Sequence, residues 1–590
     1  MKNAILNSGR FLASMTLLSW LAATATAAVP GITGAAGTPI FNLTAQPASL
    51  NQPDGNQVYS WGYGCSVAPT GTAPAALGPV PCPSMQVPGP TLIVKEGDTV
   101  TVNLTNGLPA PAGNTSILFA GFTLTSTTCS TGAVQGLLTC EAPPNGSVTY
   151  TFVASAPGTH AYYSGTQGDL QIEMGLYGAV IVLPATVPAN CKAGYHSLNL
   201  TSKATWGETD FRLSQAAYDH PGTCYDREYL FQWAEMDARI HSQALAQVTA
   251  LTGCTAGAPG CSLDVQTEPY HPAYFLINGR SMPDLMDPMF AGEYPHQPYN
   301  GNPHMHPGEL TLIRTIGQGR WQHPFHEHAN HVRILARDAN LVLTSTAAPC
   351  STATATAPVQ GCVIYTSGLT SDTPVAAPGL AGLLMFNTDT TPGESFDGIF
   401  YFTGRGLNWD PYAHHPGSSD PLAVLPCTPD VNGYNSGAPA ALNFMEWCQD
   451  HNKPIEKSPF GDVPAGGPAT LPDPNVFTNG AWYGGSLYLG PDATLRGNAP
   501  ACVGNPYGAT TGNPTTPSGG LGTTTPAVNT ANCTNLAPAN LQLNPANERG
   551  WAFMWHSHNE REITTNNVFP GGMLMMMLVD TREFVIDEHL

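Results

Sequence analysis

Charge is scarce in this chain. Only 10% of its 590 residues are Asp, Glu, Lys or Arg. That composition argues against a long-helix or coiled-coil protein, which draws on charged residues throughout. The charge present is one-sided: 20 basic residues against 41 acidic ones give a net −21. Nucleic acid and anionic lipid are therefore excluded as main partners, because like charges repel. No CxxC pair occurs, so a zinc ribbon or a thioredoxin-like site has no support. After the N-terminal segment no apolar run is long enough to span a bilayer. Disorder is excluded as well, since 42% of the chain is hydrophobic.

What is present points to an exported all-β protein. Gly (62) and Pro (55) are plentiful, as short strands joined by many turns require. Lys2 and Arg10 lead into the apolar stretch FLASMTLLSWLAATATA, which ends on the small-residue run Ala25-Thr26-Ala27. Residues 1–27 read as a secretory signal peptide, too short in its apolar part for a membrane anchor. A secreted location follows: extracellular, periplasmic or at the cell surface. Fourteen cysteines fit that compartment. Their order suggests the local pairs Cys65/Cys82, Cys129/Cys140, Cys191/Cys224, Cys254/Cys261, Cys350/Cys362, Cys427/Cys448 and Cys502/Cys533.

Residues 38–190 alternate short β-like runs with turns. TLIVKEGDTVTVNLTN (91–106), GSVTYTFVAS (146–155) and GLYGAVIVL (175–183) predict one β-sandwich. A second is expected over 191–590, from REYLFQWAEMDARI, AYFLINGRSMPDLM, GELTLIRTIG, DTTPGESFDGIFYFTG, RGWAFMWHSH and GGMLMMMLV, all read as strand segments. Within it, about 406–545 is rich in Gly, Pro, Thr and Asn and holds four cysteines. This reads as a long disulfide-stapled insertion, with a third sandwich as the alternative.

Two histidine pairs carry the chemistry. HPFHEHANH supplies His323, His326, His328 and His331, and WHSH supplies His556 and His558. Side chains on a strand alternate faces, so His326 and His328 share one face, as do His556 and His558. Two neighbouring strands would bring four imidazoles to one spot, a donor set suited to copper or zinc.

At these residues the chain resembles the multicopper oxidase family. VPGPTLIVKEGDTVTVNLTN is similar to the family's first-domain strand pair and FLINGRSMPDLM to its later-domain opening. HPFHEH resembles its HPxHxH motif and WHSHNERE its HCHxxxH motif. The resemblance implies an all-β fold of two cupredoxin-like Greek-key β-sandwich domains. It implies copper as cofactor, with electrons entering at a mononuclear blue copper and O₂ reduced at a trinuclear cluster. It matches His323 to a blue-copper ligand, and His326, His328, His556 and His558 to cluster ligands. The departures are large. Ser557 stands in the place of the blue-copper cysteine, Glu562 in that of the next histidine, and Met573 follows later than an axial methionine would. In the first domain Leu118, Ala120, Tyr163 and Gly165 stand where four histidines are expected.

The expectation is thus no blue copper, no ordinary trinuclear cluster, and a reduced metal site on His326, His328, His556 and His558. His160 is a spare histidine off the expected positions, and Glu327, Glu560 and Glu562 are candidate partners of the imidazoles. NPHMHPGE (302–309) reads as a polar turn, GGMLMMML as a buried strand with Met573, Met575 and Met577 on one face, and His414 and His415 as exposed. The functional reading is an exported copper protein, a copper-dependent oxidoreductase if active, with a protein electron-transfer or surface partner. The alternatives are a non-enzymatic scaffold and copper storage or delivery.

Overall fold

The computed structural model describes residues 28–126, 128–192, 209–306, 308–365, 374–402, 485–489, 548–580 and 586. The expected signal peptide, nearly all of the expected insertion with His414 and His415, and the pairs Cys427/Cys448 and Cys502/Cys533 lie outside these residues. The other five cysteine pairs form as expected. Among the described residues no helix is long and apolar enough to cross a membrane.

In the first sandwich, one sheet runs in the order Gly71–Ala73, Gly31–Thr33, Leu92–Lys95, Tyr177–Leu183, Gly158–Tyr163, Leu118–Phe119. The other runs Ser147–Val153, Thr99–Asn106, Ile40–Asn51, Gln57–Cys65. Leu92, Val94, Val180 and Val182 from the first pack against Val100, Val102, Leu104 and Phe152 from the second. Thr99–Asn106 shows why it forms: Val100, Val102 and Leu104 are buried while Thr99 and Thr105 are exposed, the signature of a half-buried strand. The stretch 91–106 is not one hairpin, because its two strands belong to opposite sheets. Gly97, at φ +90°, makes the corner, and the Asp98 carboxylate accepts from Lys95 N at 2.8 Å and Gly37 N at 2.9 Å to fix it.

The second sandwich pairs the sheet Tyr274–Ile277, Arg227–Met236, Leu310–Gly317, Ser395–Tyr401, Val332–Arg337, Asn340–Leu341 with the sheet His304–Met305, Leu574–Asp580, Glu548–Ser557, His323–Glu327, Asn387–Thr390. Phe231, Trp233, Phe325, Phe400, Trp555, Met575 and Met577 fill the space between them. Gly485–Leu489, from within the expected insertion, adds to this second sheet by pairing with Glu548–Ser557. Two strand expectations are corrected. The segment 227–240 is a strand only to Met236. Asp237 then accepts from Arg239 N at 3.0 Å and caps the helix Ala238–Ala250, where alanines and glutamines favour helix over strand. The segment 389–404 divides at Gly393, φ +82°, into Asn387–Thr390 and Ser395–Tyr401, again in opposite sheets.

Candidate metal centre

His323–Glu327 and Glu548–Ser557 are antiparallel neighbours, with His326 opposite His556, Phe325 opposite Ser557 and Glu327 opposite Trp555. The register continues past the strand ends, where His328 N donates to Met554 O at 3.3 Å and His558 N to Pro324 O at 2.8 Å. Alternation then sends His326, His328, His556 and His558 to one face and Phe325, Glu327, Trp555 and Ser557 to the other.

The four rings converge. The His326 ring centre lies 4.7 Å from that of His328, 5.3 Å from His556 and 4.8 Å from His558. Ligand atoms of His326, His328 and His556 lie within 4.8 Å of one another. His328 Nε2 and His556 Nε2 are 3.2 Å apart. His556 Nδ1 lies 2.6 Å from Ser557 O, and because a carbonyl only accepts, that nitrogen carries the hydrogen. Its Nε2 is left with a lone pair aimed at the centre, the tautomer a metal requires. Two nitrogens each about 2.0 Å from a tetrahedral metal are about 3.3 Å apart, so the observed spacing fits such an ion. Burial, then the neighbouring His556 and His558, pulls the His326 imidazole down to about 4, and burial lowers His556 too. Neutral rings at neutral pH are what a cation needs. His326 and His328 are buried, His556 is partly covered and His558 is exposed, so the centre is open on one side. Phe386, half exposed, stands beside His326 there.

His323 is not part of this group. It sits on the core side of the same strand, fully buried, with Nε2 2.8 Å from Glu235 Oε2 and Nδ1 2.9 Å from Glu562 Oε2. Burial alone would lower its pKa, but the hydrogen bonds and charges of the two glutamates raise it to about 9. Ser557 donates to Glu562 at 2.5 Å. A blue-copper centre does not fit this pocket: it has no thiolate, and its histidine is engaged at both nitrogens. Sequence reasoning passed over Glu235, which comes from the opposite sheet; no local motif announces it.

The remaining candidates divide by face and depth. Glu327 points into the core, away from the imidazoles, where Thr388 Oγ1 donates to it at 3.0 Å and burial pushes its pKa well up. Glu560 is exposed. Met573, Met575 and Met577 are core residues, as expected of a buried strand. Met305 also packs in the core, with His304 and His306 buried beside it. In the first sandwich, Leu118 pairs with Tyr163 across neighbouring strands. The segments that carry histidines in the resembled family therefore meet, but they present Leu118, Ala120, Tyr163 and Gly165. His160 is packed on Phe122 with ring centres 4.4 Å apart and bonds Ala156 O at 3.1 Å. It lines a separate cavity of about 470 Å³ with Asp338, Glu394 and Ser395.

Two β-sandwiches, one carrying paired histidine strands, define a cupredoxin-like fold. Residues 79–186 match the multicopper oxidase sequence family. Over 99 residues the chain is 38% identical to Multicopper oxidase MCE of Talaromyces pinophilus, covering 17% of this chain and 15% of that protein. Over 97 residues it is 37% identical to the L-ascorbate oxidase of Brassica rapa subsp. pekinensis, covering 16% of each. A longer match, 26% over 209 residues, is to Laccase-2 of Cryptococcus neoformans var. grubii, covering 35% of this chain and 32% of that protein. The solved multicopper oxidase mgLAC overlays 62% of this chain and 77% of its own at 18% identity, with a TM-score of 0.35. These matches are a likeness to multicopper oxidases over part of the chain. The matches span a third or less of these three relatives' lengths. The family match falls in the first sandwich, whereas the clustered ligand atoms of His326, His328 and His556 lie in the second, with exposed His558 outside that ligand-atom group.

Proposed function

We propose that this protein is an exported copper protein that holds one copper ion on His326, His328, His556 and His558. It would exchange single electrons with a molecule reaching the open side of that centre. The observation that carries this reading is the His328 Nε2 to His556 Nε2 spacing of 3.2 Å, with His556 Nδ1 turned onto the Ser557 carbonyl. Bound copper would supply one-electron redox chemistry; zinc, which accepts the same imidazoles, would not. The chain's part is to hold the nitrogens. Trp555 Nε1 donates to His328 O at 3.1 Å and Ser557 N to Met573 O at 2.9 Å, which anchors both histidine segments to the core. Exposed His558 and Phe386 leave room for a donor or acceptor to approach.

Four-electron reduction of O₂ needs several redox centres acting together. Leu118, Ala120, Tyr163 and Gly165 offer no imidazole for them, and a second copy of this chain brings the same four residues. The reading is therefore a simpler oxidoreductase that relies on an external electron carrier. Export is supported by the five disulfides and the N-terminal sequence. The test is metal content and electron paramagnetic resonance after copper loading, beside a variant with Ala at all four histidines. About one copper per chain without a blue band, lost in the variant, supports the reading. No copper in either protein sinks it and leaves a scaffold.

A further inference from the structure

The strand His323–Glu327 serves two places at once. His326 faces the four-histidine centre, and His323, on the core side, ends in a closed hydrogen-bonded array. His323 Nε2 meets Glu235 Oε2 at 2.8 Å and His323 Nδ1 meets Glu562 Oε2 at 2.9 Å. An ionised carboxylate only accepts, so each contact calls for a hydrogen on that ring nitrogen. A ring with hydrogen on both nitrogens has no lone pair to give a metal.

Both carboxylates are otherwise filled. Glu562 accepts from Ser557 Oγ at 2.5 Å and from Asn559 Nδ2 at 2.9 Å. Glu235 Oε1 accepts from Arg320 N at 2.6 Å and Trp321 N at 2.9 Å, and the Tyr270 hydroxyl lies 3.1 Å away. The side chains of Glu235, Glu562 and His323 are 0–1% exposed, and Ser557 is fully buried. Burial strengthens these charge-assisted contacts and keeps water out of the array.

The array also joins three elements. Glu235 belongs to Arg227–Met236 in the facing sheet, His323 to the strand of His326, and Ser557 lies between His556 and His558. Glu562 bonds both His323 and Ser557, and so ties the two histidine strands on the face away from the centre.

We propose that Glu235, His323, Glu562 and Ser557 form a metal-excluding clamp. It closes the core-side pocket to any ion and fixes the spacing of the two histidine strands before metal arrives. With no relay metal beneath it, the four-histidine centre exchanges electrons only with a molecule that touches its open side. That last consequence rests on the function proposed above; the clamp does not.

The test uses the full chain labelled with ¹⁵N-histidine, with zinc as a diamagnetic probe and the His323 signals assigned from His323→Gln. The expected result is two N–H hydrogens on His323, unchanged by excess zinc, while the signals of His326, His328 and His556 move. Movement of the His323 signals to metal-bound positions would overturn the clamp. If no histidine responds to zinc and His323 keeps both hydrogens, the four-histidine reading falls and the clamp stands. Glu562→Gln should remove the doubly protonated His323 pattern and weaken zinc binding at the other face by about tenfold or more, the usual effect of losing an orienting partner. Glu562→Asp should recover part of both. Unchanged zinc affinity in Glu562→Gln would overturn the positioning role.

Discussion

His326 lies directly opposite His556 across an antiparallel pair of strands. This one register decides the site. It gathers four imidazoles on one face and sends His323 and Ser557 to the other. A slip of one residue would exchange the two sets, placing imidazoles in the core.

The four histidines should not contribute equally. His556 is oriented by its own hydrogen bond to Ser557 O, and His326 is buried, whereas His558 is exposed. His556→Ala or His326→Ala should weaken copper binding by more than about 100-fold, beyond the usual cost of losing an orienting partner. His558→Ala should cost about tenfold or less, since its exposed ring is the least fixed of the four. Competition titrations with a copper chelator would measure the difference.

Metal binding should survive mild acid. A proton competes for the lone pair that the metal needs. His326 is held down to about 4, and His556 also lies below the ordinary histidine range. The His326 contribution to affinity should persist below pH 6.5 and be lost as the pH approaches about 4. A steep loss near pH 6.5 would show rings that titrate as if exposed.

The clamp has the opposite sign. The folded His323 pKa is raised from 6.5 to about 9. The folded state therefore binds the proton more tightly than the unfolded chain does. Its stabilisation is fully present below pH 6.5 and is lost as the pH rises through about 9. Thermal unfolding from pH 6 to 10 should show this loss, and His323→Gln should abolish it. Glu562→Ala, which strips one partner from a buried pair, should cost about 3–5 kcal/mol.

The methionine run should behave as core. Met575→Ala, at a fully buried position, should cost about 2–5 kcal/mol in chemical denaturation and leave the metal count unchanged. Met576, on the opposite face of the strand, is only partly buried and should cost less. Loss of copper in Met575→Ala with the fold intact would show that the run serves the metal.

Much of this was legible because strands alternate. Period two predicted which of Met573 to Met577 turn inward and that each histidine pair shares a face. The same rule, applied from His326 back to His323, separates those two by three positions and hence by face. The family resemblance, which treats HPFHEH as one motif, does not display that division. Glu235 was not legible: it reaches His323 from the facing sheet, and only the packing of the two sheets brings them together. The corners at Gly97 and Gly393 show a related limit. Glycine marks a turn, but whether the chain returns to the same sheet depends on partners distant in sequence.

His328 and His556 are separated by 228 positions, yet their nitrogens meet. Neither strand can present the centre alone, so the site has a birth time. At synthesis rates of about 5–20 residues per second, roughly 10–45 s pass between the two histidines. Through that interval the growing chain already carries the HPFHEH motif without the strand that completes it. On the function proposed above, copper met during synthesis would find half a coordination sphere, and selective capture would begin only when the last long strands close the sheet.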